Sequence, residues 1–332
     1  VDWTQAIGSG PYVVRNFEPG VRADFERWDG TWRNDRGWFD AIEMLAIIDP
    51  VARQNAMMTG AVDAIDRVDV QTVHSLERNP NIKIVTLDGA QHFTFPMRCD
   101  ADPFTDPHIR NAVKCAVDRQ EMVDKILIGY GYPGNDLPIG RNQKFYNDQL
   151  AQREYDPDKA KWHLKQAGRD SLDITLYSAD TAFSGAVDAA QLYAASAQAA
   201  GINLTVERAP DDGYWANYWN VRPFTACYWS GRVTVNQQFT LAYACGASWN
   251  DTAWCNDRFN ELLVEARGEL DEEKRREMYF EMQEILHDDG GLCAPMFASY
   301  VDALSTRIGH GKMGADEDMD GERWAERWWF TD

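Results

Sequence analysis

The sequence DPFTDPHIRNAVKCAVDRQEMVDKILI, residues 102–128, is typical of a capped amphipathic helix. Thr105 or Asp106 can accept a hydrogen bond from a free backbone N–H at the helix start, and Pro107 suits the first helical turn. Apolar residues then recur at helical spacing: Ile109, Val113, Ala116, Val117, Val123 and Leu127. Gly129 marks the end, because glycine readily adopts the left-handed conformation that terminates helices. We therefore predict one helix that packs a single face against a core.

The rest of the chain alternates strand and helix patterns. A strand at 172–177, an alanine-rich helix at 184–200 and a strand at 202–207 follow one another, and this order argues for an α/β fold. Further strands are predicted at 12–18, 21–27, 41–48, 62–66, 82–87, 91–97, 224–229 and 293–304. Further helices are predicted at 50–58, 69–79, 157–167, 214–221, 256–267 and 271–288, and a glycine- and proline-rich loop at 129–150.

Composition limits the classes of partner. The chain has 332 residues, enough for two domains, and 44% of them are hydrophobic. The formal net charge is −20, so the surface offers no basic stripe to neutralise phosphates. No run of roughly eighteen apolar residues occurs. We therefore expect no nucleic-acid partner and no membrane-spanning segment.

The beginning of the chain has no signal-peptide pattern. It starts at Val1, without a methionine, a basic region or an apolar region. Either a signal peptide has been removed, or the chain is a piece of a longer protein.

Six cysteines are spread along the chain without a CxxC motif or a zinc-like Cys/His spacing. Cys245 and Cys255 are the best disulfide candidates, because they flank a loop rich in Gly, Ser, Asn and Asp. Closing a loop of about ten residues would stabilise the fold by roughly 2–3 kcal/mol. Free buried thiols are the alternative. The sequence does not predict the pairing of Cys99, Cys115, Cys227 and Cys293.

Several motifs, in a shared order, resemble a known family. Residues 102–128 resemble its segment PFDDxRVRQAxxxAIDRxxIV. The other matching segments are GSGPY at 8–12, RWDG at 27–30 with FD at 39–40, the spaced residues of 49–63, EYDPDKAK through the glycine at 154–168, and the helices at 256–266 and 274–286. Together they resemble the extracytoplasmic solute-binding proteins of ABC transporters, family 5 or cluster C, which bind peptides, nickel or opines.

The resemblance implies a periplasmic-binding-protein-like α/β fold. In that fold two lobes with mixed sheets are joined by hinge strands, and the ligand lies in the cleft between them. Transferred to this chain, residues 1–95 with 296–332 form a partial lobe I, and residues 96–295 form lobe II. The family motif that matches residues 8–12 lies well inside its sequences. The resemblance therefore implies that lobe I is incomplete here, and that its missing N-terminal part is a partner of the chain.

The resemblance also implies a function. The chain would bind a small solute in the periplasm, such as a short peptide or an amino-acid derivative, and deliver it to the membrane permease of an ABC importer. Two alternatives stay open: a peptide-sensing or chaperone-like binding protein without transport, and a hydrolase on a similar α/β scaffold. Ligand identity is not predicted, since opines, betaines, chelated nickel and small sugars also fall within the family.

Ligand contacts are expected in the turn that follows the strand at 224–229. The family places such contacts at the positions of Trp229, Ser230, Gly231 and Arg232. Trp229 would pack over the ligand, and the backbone of Ser230 and Gly231 would bind its polar groups. Relatives that bind dipeptides carry an Asp in this turn, whereas here Arg232 stands in that neighbourhood. A guanidinium suits a carboxylate, so we hypothesise that Arg232 binds an anionic group of the ligand. A surface arginine paired with a nearby carboxylate is the alternative.

A second aromatic and polar cluster lies around Cys245. It comprises Tyr243, Trp249, Asn250, Asp251 and Trp254. One interpretation makes this cluster a wall of the ligand cleft, and the other makes it a packed loop over lobe II.

No constellation for catalysis is present. The sequence lacks GxSxG, Walker A, HExxH and GxGxxG motifs, so we expect no catalytic residues, no cofactor and no metal site, and hence no enzyme. The acidic run at 316–320 lacks the EF-hand spacing, which favours a solvated acidic loop over a Ca²⁺ site.

Overall fold

The computed structural model describes residues 8–331, which form two compact units. Unit 1 contains the described residues up to Leu87 and those from Tyr300 onward, and unit 2 is Asp88–Ser299. The chain therefore passes from one unit to the other twice.

Fourteen strands lie in the described residues. They are β1 Tyr12–Glu18, β2 Arg22–Arg27, β3 Ala41–Leu45, β4 Ala64–Ile65, β5 Ile82–Leu87, β6 His92–Thr94, β7 Gly131–Pro133, β8 Leu172–Ser178, β9 Ile202–Arg208, β10 Cys227–Trp229, β11 Met296–Ala298, β12 Tyr300–Ser305, β13 Ile308–Gly309 and β14 Trp329–Phe330.

Twelve helical segments lie in the same part of the chain. They are α1 Pro50–Thr59, α2 Val73–Glu77, α3 Pro107–Cys115, α4 Arg119–Lys125, α5 Pro157–Gln166, α6 Ala186–Gln198, α7 Tyr214–Asn217, α8 Val235–Ala242, α9 Asp257–Gly268, α10 Glu272–Asp289, α11 Asp318–Glu322 and α12 Trp324–Arg327. Segment α11 has left-handed backbone angles inside it.

Unit 1 is built from three small antiparallel sheets, in the orders β1-β2-β3, β4-β12-β5 and β13-β14. Its core contains Phe39, Ile42, Leu304, Ile308 and Trp328. The carbonyl oxygens of residues 47, 48, 66 and 67 accept hydrogen bonds from the Arg53 guanidinium. This arginine of the 49–63 motif therefore ties α1 to the loops around it.

Unit 2 contains an antiparallel sheet of order β10-β6-β11-β7 and a parallel pair, β8 with β9. Helix α6 connects the parallel strands and packs on β9 through a face rich in buried alanines. This β-α-β unit confirms the α/β prediction. Strands β6 and β11 pair within this unit, although the proposed lobe boundaries assign their residues to lobe I. The correspondence between the units and the family's lobes stays a prediction.

Helix starts with Asp-Pro sequences follow the prediction closely. Asp49, Asp106 and Asp156 each accept a hydrogen bond from a backbone N–H of the helix that they precede. The sequence allowed either Thr105 or Asp106 as the N-cap of α3, and the structure shows Asp106 in this role. An Asp-Pro helix start depends on local interactions, because the aspartate side chain accepts a hydrogen bond from a backbone N–H that has no partner within the helix.

The prediction of one helix over the whole of residues 107–128 is wrong. The segment forms α3 and α4, with Asp118 as a new N-cap that accepts a hydrogen bond from the Glu121 N–H at 2.9 Å. The sequence Asp118-Arg-Gln-Glu121 has the spacing of a capping box. The aspartate side chain therefore competes with the continuing helix, and the apolar periodicity conceals the break.

Part of the predicted loop at 129–150 is a strand, β7. The glycines that suggested a loop instead permit close packing: a Cβ at Gly131 would lie 2.3 Å from the Phe297 carbonyl oxygen, and one at Gly134 would lie 2.1 Å from the Ala294 carbonyl oxygen. Strand β7 can therefore approach β11 only without side chains at these positions.

Four other segments also differ from the prediction. Helices α2 and α7 are shorter than the 69–79 and 214–221 segments that the sequence suggested. Helix α8 was not predicted, although Thr234 and Gln237 have capping spacing and the Thr234 hydroxyl accepts the Gln237 N–H. The polar tail contains β13, β14 and the buried Trp328.

Asp136 is the centre of a buried ionic network in unit 2. Its carboxylate contacts Arg119 at 2.7 Å and Arg153 at 2.8 Å, and all three side chains are almost fully buried. The same carboxylate accepts the Ala294 N–H at 3.0 Å. Burial alone would raise the pKa of Asp136, but the two guanidiniums bring it below its ordinary value. The ionised carboxylate thus joins the start of α4, the loop after β7 and the segment before β11.

We predict that Asp136→Asn lowers the free energy of unfolding by about 3–5 kcal/mol, because two buried guanidiniums lose their counter-charge. Urea denaturation followed by circular dichroism measures the loss. The difference from wild type should shrink as the pH falls through the lowered pKa of Asp136, since the wild-type carboxylate then becomes neutral.

The matched control is Glu121→Gln, which removes only an exposed pair with Lys125. It should change the stability by less than about 0.5 kcal/mol. Equal effects of the two substitutions would contradict the central role of Asp136.

Candidate functional site

The predicted ligand turn lies at the end of an edge strand. Strand β10 is the outermost strand of the four-stranded sheet, and Trp229 is its last residue. Ser230, Gly231 and Arg232 then leave the sheet, and α8 begins at Val235. The turn therefore connects the sheet edge directly to a helix start.

Four rings lie side by side across this sheet, and we call them the aromatic row: Trp229, His92, Phe297 and Tyr132. Strand register pairs Trp229 with His92, His92 with Phe297, and Phe297 with Tyr132, which places all four on one face. The His92 and Phe297 centroids are 5.1 Å apart, and those of Phe297 and Tyr132 are 5.0 Å apart. The row is almost fully buried.

A guanidinium lies at each end of the aromatic row. That of Arg232 is 6.0 Å from the Trp229 ring centroid, and that of Arg141 is 4.1 Å from the Tyr132 centroid. Arg141 also forms an ion pair with Asp88, whose carboxylate accepts its Nε–H at 2.8 Å. Arg232 forms no ion pair within residues 8–331. The guanidinium charge of Arg232 therefore has no counter-charge from the described residues, whereas that of Arg141 has one.

The loop at 139–143 holds the turn in place. The Gln143 amide nitrogen donates to the Arg232 carbonyl at 2.8 Å, while its amide oxygen accepts the Gly140 N–H at 2.8 Å. The same loop is anchored at Asp88, whose carbonyl accepts the Asn142 amide at 2.8 Å. The backbone of the turn is thus fixed by a side chain almost ninety residues away in sequence.

The Arg232 side chain is only partly used by the protein. Its Nη1 donates to the carbonyls of Ser230 and Gly231, each at 3.0 Å. Within the described residues, Nε and Nη2 have no hydrogen-bond partner. These two N–H groups share one edge of the guanidinium, which is the edge that binds a carboxylate through two parallel hydrogen bonds.

His92 keeps the adjacent row uncharged. It is fully buried, and its Nδ1 lies 3.1 Å from the Ala90 carbonyl, so Nδ1 is the protonated nitrogen of the neutral ring. Burial lowers its pKa to about 4, and Arg232 contributes in the same direction. At neutral pH the positive charge at this end of the row therefore belongs to Arg232.

The second predicted cluster lies largely on the loop between Cys245 and Cys255, which a disulfide closes and which we call the stapled loop. Cys245 and Cys255 form a disulfide, which confirms that pairing. Inside the loop, the Asn250 amide donates to the Trp254 carbonyl at 2.7 Å and accepts from the Thr252 hydroxyl at 2.8 Å. Cys99, Cys115, Cys227 and Cys293 are free thiols.

Most of this cluster points into the interior. Tyr243 is fully buried, and the Trp254 indole N–H donates to Asp289 at 2.8 Å. Asn250 is also buried, whereas Trp249 is 46% exposed and its ring lies 6.1 Å from that of Trp229. The structure therefore brings Trp249 to the turn, and it buries Tyr243 at the end of α8 and Asn250 and Trp254 within the loop. Their assignment as ligand contacts stays a prediction.

Sequence reasoning did not single out His92, Tyr132, Arg141 or Gln143. They reach the turn through antiparallel pairing and through a loop, and neither leaves a local motif. The aromatic character of residues 92–95 was the available signal, and it suggested a core strand.

The structure offers no clear metal centre. Among residues 8–331, no group of three or more His, Cys, Asp or Glu side chains is placed to hold a metal ion. In the acidic run at 316–320, Asp320 is buried and bonds to Arg327 and to the Gly314 N–H. No helix in the same range is long and apolar enough to cross a membrane.

Unit 1 contains a separate cavity of about 390 Å³. Its lining includes the apolar residues Phe39, Ile42, Leu45, Met319 and Trp324. It belongs to the other unit and is therefore distinct from the turn.

Comparison with known proteins gives a family match over most of the chain. The family described as bacterial extracellular solute-binding proteins, family 5 Middle, matches residues 2–251. The chain is 22% identical over 294 residues to the dipeptide-binding protein of Escherichia coli K12, covering 85% of this chain and 54% of that protein. It is 23% identical over 294 residues to heme-binding protein A of Haemophilus influenzae, covering 86% and 53%.

Solved structures agree with the fold. NikZ from Campylobacter jejuni in complex with Ni(L-His) is similar with a TM-score of 0.82 and 18% identity, over 99% of this chain and 70% of that one. This likeness confirms the periplasmic-binding-protein-like α/β fold. The chain spans about half the length of the curated relatives that it matches.

The stapled loop yields a stability prediction. Replacing both Cys245 and Cys255 with serine should lower the free energy of unfolding by roughly 2–3 kcal/mol, because the unfolded loop of about ten residues is no longer closed. Urea denaturation without reductant measures the change.

Reductant should lower the stability of the wild type by a similar amount and leave the double variant unaffected. If reductant lowered both equally, the effect would belong to something other than this disulfide.

Proposed function

Since the chain belongs to the bacterial extracellular solute-binding proteins of family 5, we propose that it binds a small solute for delivery to an ABC importer. The relatives named above are described as binding proteins. We accordingly propose binding without chemical conversion, and so no enzyme activity.

The proposed ligand class rests on one observation, which is the guanidinium edge of Arg232 that forms no hydrogen bond within the described residues. Nε and Nη2 are available beside a buried, uncharged aromatic row. The guanidinium is 6.0 Å from the Trp229 ring centroid, and the Trp249 ring centroid is 6.1 Å from that of Trp229. A charge-assisted pair in such surroundings is stronger than one in open water. We propose a solute with a carboxylate for Arg232 and an apolar or planar part for the two indoles.

The ligands named for the relatives share this chemistry. A dipeptide, heme and L-histidine each carry at least one carboxylate and an organic body of modest size. A short peptide or an amino-acid derivative is therefore the proposed substrate class, with Trp229, Ser230, Gly231, Arg232 and Trp249 as contacts. Tyr243, Asn250 and Trp254 are proposed to support the loop that carries Trp249.

Transport requires a conformational change that a permease can recognise. We propose that units 1 and 2 correspond to the two lobes of the family, and that the connections at Leu87–Asp88 and Ser299–Tyr300 are the hinge. Closure would then be a population shift driven by the ligand. The permease and its ATPase are the proposed partners.

The proposed compartment is extracytoplasmic. The family description supports it, and so does the Cys245–Cys255 disulfide, since such bonds persist in oxidising compartments.

A further polypeptide partner is proposed for unit 1. Met44, Leu45 and Ile48 are exposed there, near the apolar cavity lined by Phe39 and Trp324. The relatives extend beyond the part that this chain matches. We propose that this apolar face packs against a segment equivalent to the N-terminal part of lobe I in the family.

A thermal-shift screen tests the substrate class. Dipeptides with a free C-terminal carboxylate should raise the melting temperature, and the same dipeptides with a C-terminal amide should do so much less. A ligand at one hundred times its Kd stabilises the folded state by about 2.7 kcal/mol. Equal shifts from acid and amide would rule out a carboxylate-selective site, and conversion of the compound would point to an enzyme.

Arg232→Ala should weaken binding of the carboxylate ligand roughly 10- to 100-fold, because hydrogen bonds to charged groups contribute about 1.5–3 kcal/mol. Isothermal titration calorimetry measures this loss, and Arg232→Lys should retain only part of the affinity, since lysine lacks the planar fork.

Arg222→Ala is the matched control. Arg222 also stacks on rings in unit 2, at 5.4 Å from Tyr177 and 5.6 Å from Tyr218. It is not part of the turn, so its loss should leave the affinity unchanged. Unaltered affinity in Arg232→Ala would refute the role of Arg232.

A further inference from the structure

Asp251 is a buried carboxylate bonded to the candidate ligand turn. It is 2% exposed, and its Oδ2 accepts hydrogen bonds from the indole N–H groups of Trp219 at 3.0 Å and Trp229 at 3.3 Å. Its Oδ1 has no partner within the described residues. No lysine or arginine forms an ion pair with it in that part of the chain. The Cys227 thiol also lies against this carboxylate and lowers its pKa, beside the two indole donors, one of which belongs to the turn.

The position of this carboxylate is set by the stapled loop. Asp251 lies between the two disulfide cysteines, and its N–H donates to the Trp249 carbonyl at 2.9 Å. The neighbouring Asn250 side chain bonds across the same loop. A rigid loop thus presents the carboxylate to Trp229.

The surroundings leave Asp251 as the group that changes charge near neutral pH. The Cys227 thiol and the Tyr243 hydroxyl face it, and burial together with Asp251 raises the pKa of each well above its ordinary value. The Arg232 guanidinium also lies 6.0 Å from the Trp229 ring centroid, and His92, which pairs with Trp229 across the sheet, stays neutral because burial lowers its pKa to about 4. Burial raises the pKa of Asp251 to about 6, against the opposing effect of the hydrogen bonds from the two indoles and the Cys227 thiol.

We propose that Asp251 is a positioning residue, whose ionised carboxylate holds the Trp229 indole in the orientation that the ligand requires beside Arg232. This inference rests on the proposed function, because Trp229 and Arg232 are ligand contacts only if that function is right. The physical reason is that an indole N–H bonds more strongly to a charged acceptor than to a neutral one. Protonation of Asp251 weakens both indole bonds and frees the ring.

The first test needs no ligand. In protein labelled with ¹⁵N at the tryptophan indoles, the Nε1–H resonances of Trp219 and Trp229 should move together with pH and share a midpoint near 6. Trp219→Phe and Trp229→Phe assign the two signals. Trp32 is the internal control, because its indole donates to the Ser9 backbone carbonyl. Asp251→Asn should abolish both titrations.

An unchanged midpoint in Asp251→Asn, or no movement of either signal between about pH 5 and 7.5, would overturn the proposal. A carboxylate with a merely structural role and an ordinary pKa would give the second result.

The second test measures binding of the dipeptide Ala-Phe. If only the ionised form of Asp251 presents Trp229 correctly, wild-type affinity should fall about tenfold from pH 7.5 to pH 5, since about a tenth of the protein then remains competent. Asp251→Asn should bind weakly at both pH values. Asp289→Asn is the control, because it weakens a similar bond to the Trp254 indole, together with the ion pair to Arg110, outside the turn and should keep the wild-type pH profile.

The two tests separate the two hypotheses. An Ala-Phe affinity that fell equally with pH in wild type and Asp251→Asn would refute the role of Asp251 in binding. Failure of the wild type to bind Ala-Phe at any pH would count against the proposed substrate class, and the indole titration would then decide the role of Asp251.

Discussion

The arrangement of unit 2 depends on the buried carboxylate of Asp136, which lies among positively charged side chains. Asp136 has no exposed surface, and its carboxylate compensates Arg119 and Arg153 while accepting the Ala294 N–H. Ions at such depth are tolerated only when their partners are close and well oriented. The loop that begins at Asp136 continues to Gln143, which fixes the Arg232 carbonyl. The ionic network is thereby linked through one short loop to the candidate ligand turn.

The turn itself combines one available positive charge with neutral surroundings. His92 could have carried a second positive charge, but its burial keeps the ring neutral. The charge of Arg141 is compensated by its ion pair with Asp88. The chain as a whole has a net charge of −20, so a free guanidinium beside a buried aromatic row is a local exception. In the proposed function, such a contrast would favour an anionic solute over a cation, which would meet Arg232 without compensation.

Local signals and non-local packing explain which predictions held. The caps at Asp49, Asp106 and Asp156 were predictable because each depends on hydrogen bonds within three residues. The break at Asp118 and the start of α8 at Thr234 had equally local signals, and a continuous apolar periodicity concealed the first of them. Gly131 and Gly134 misled for a different reason, because their role is close packing against β11, more than 150 residues away.

By itself, the sequence determined the α/β class, the helix caps, the candidate disulfide and the motifs that point to the family, because each of these is written in neighbouring residues or in their order. The resemblance to the family also suggested ligand contacts in the turn at 229–232, and the binding of an anionic group by Arg232 stays a hypothesis. Only the tertiary structure decided that Trp229, His92, Phe297 and Tyr132 form a row, and that Asp251 bonds to Trp229 while Tyr243 and Trp254 are buried. These relations depend on strand register and loop packing between distant segments, and such contacts follow from the free energy of the whole fold.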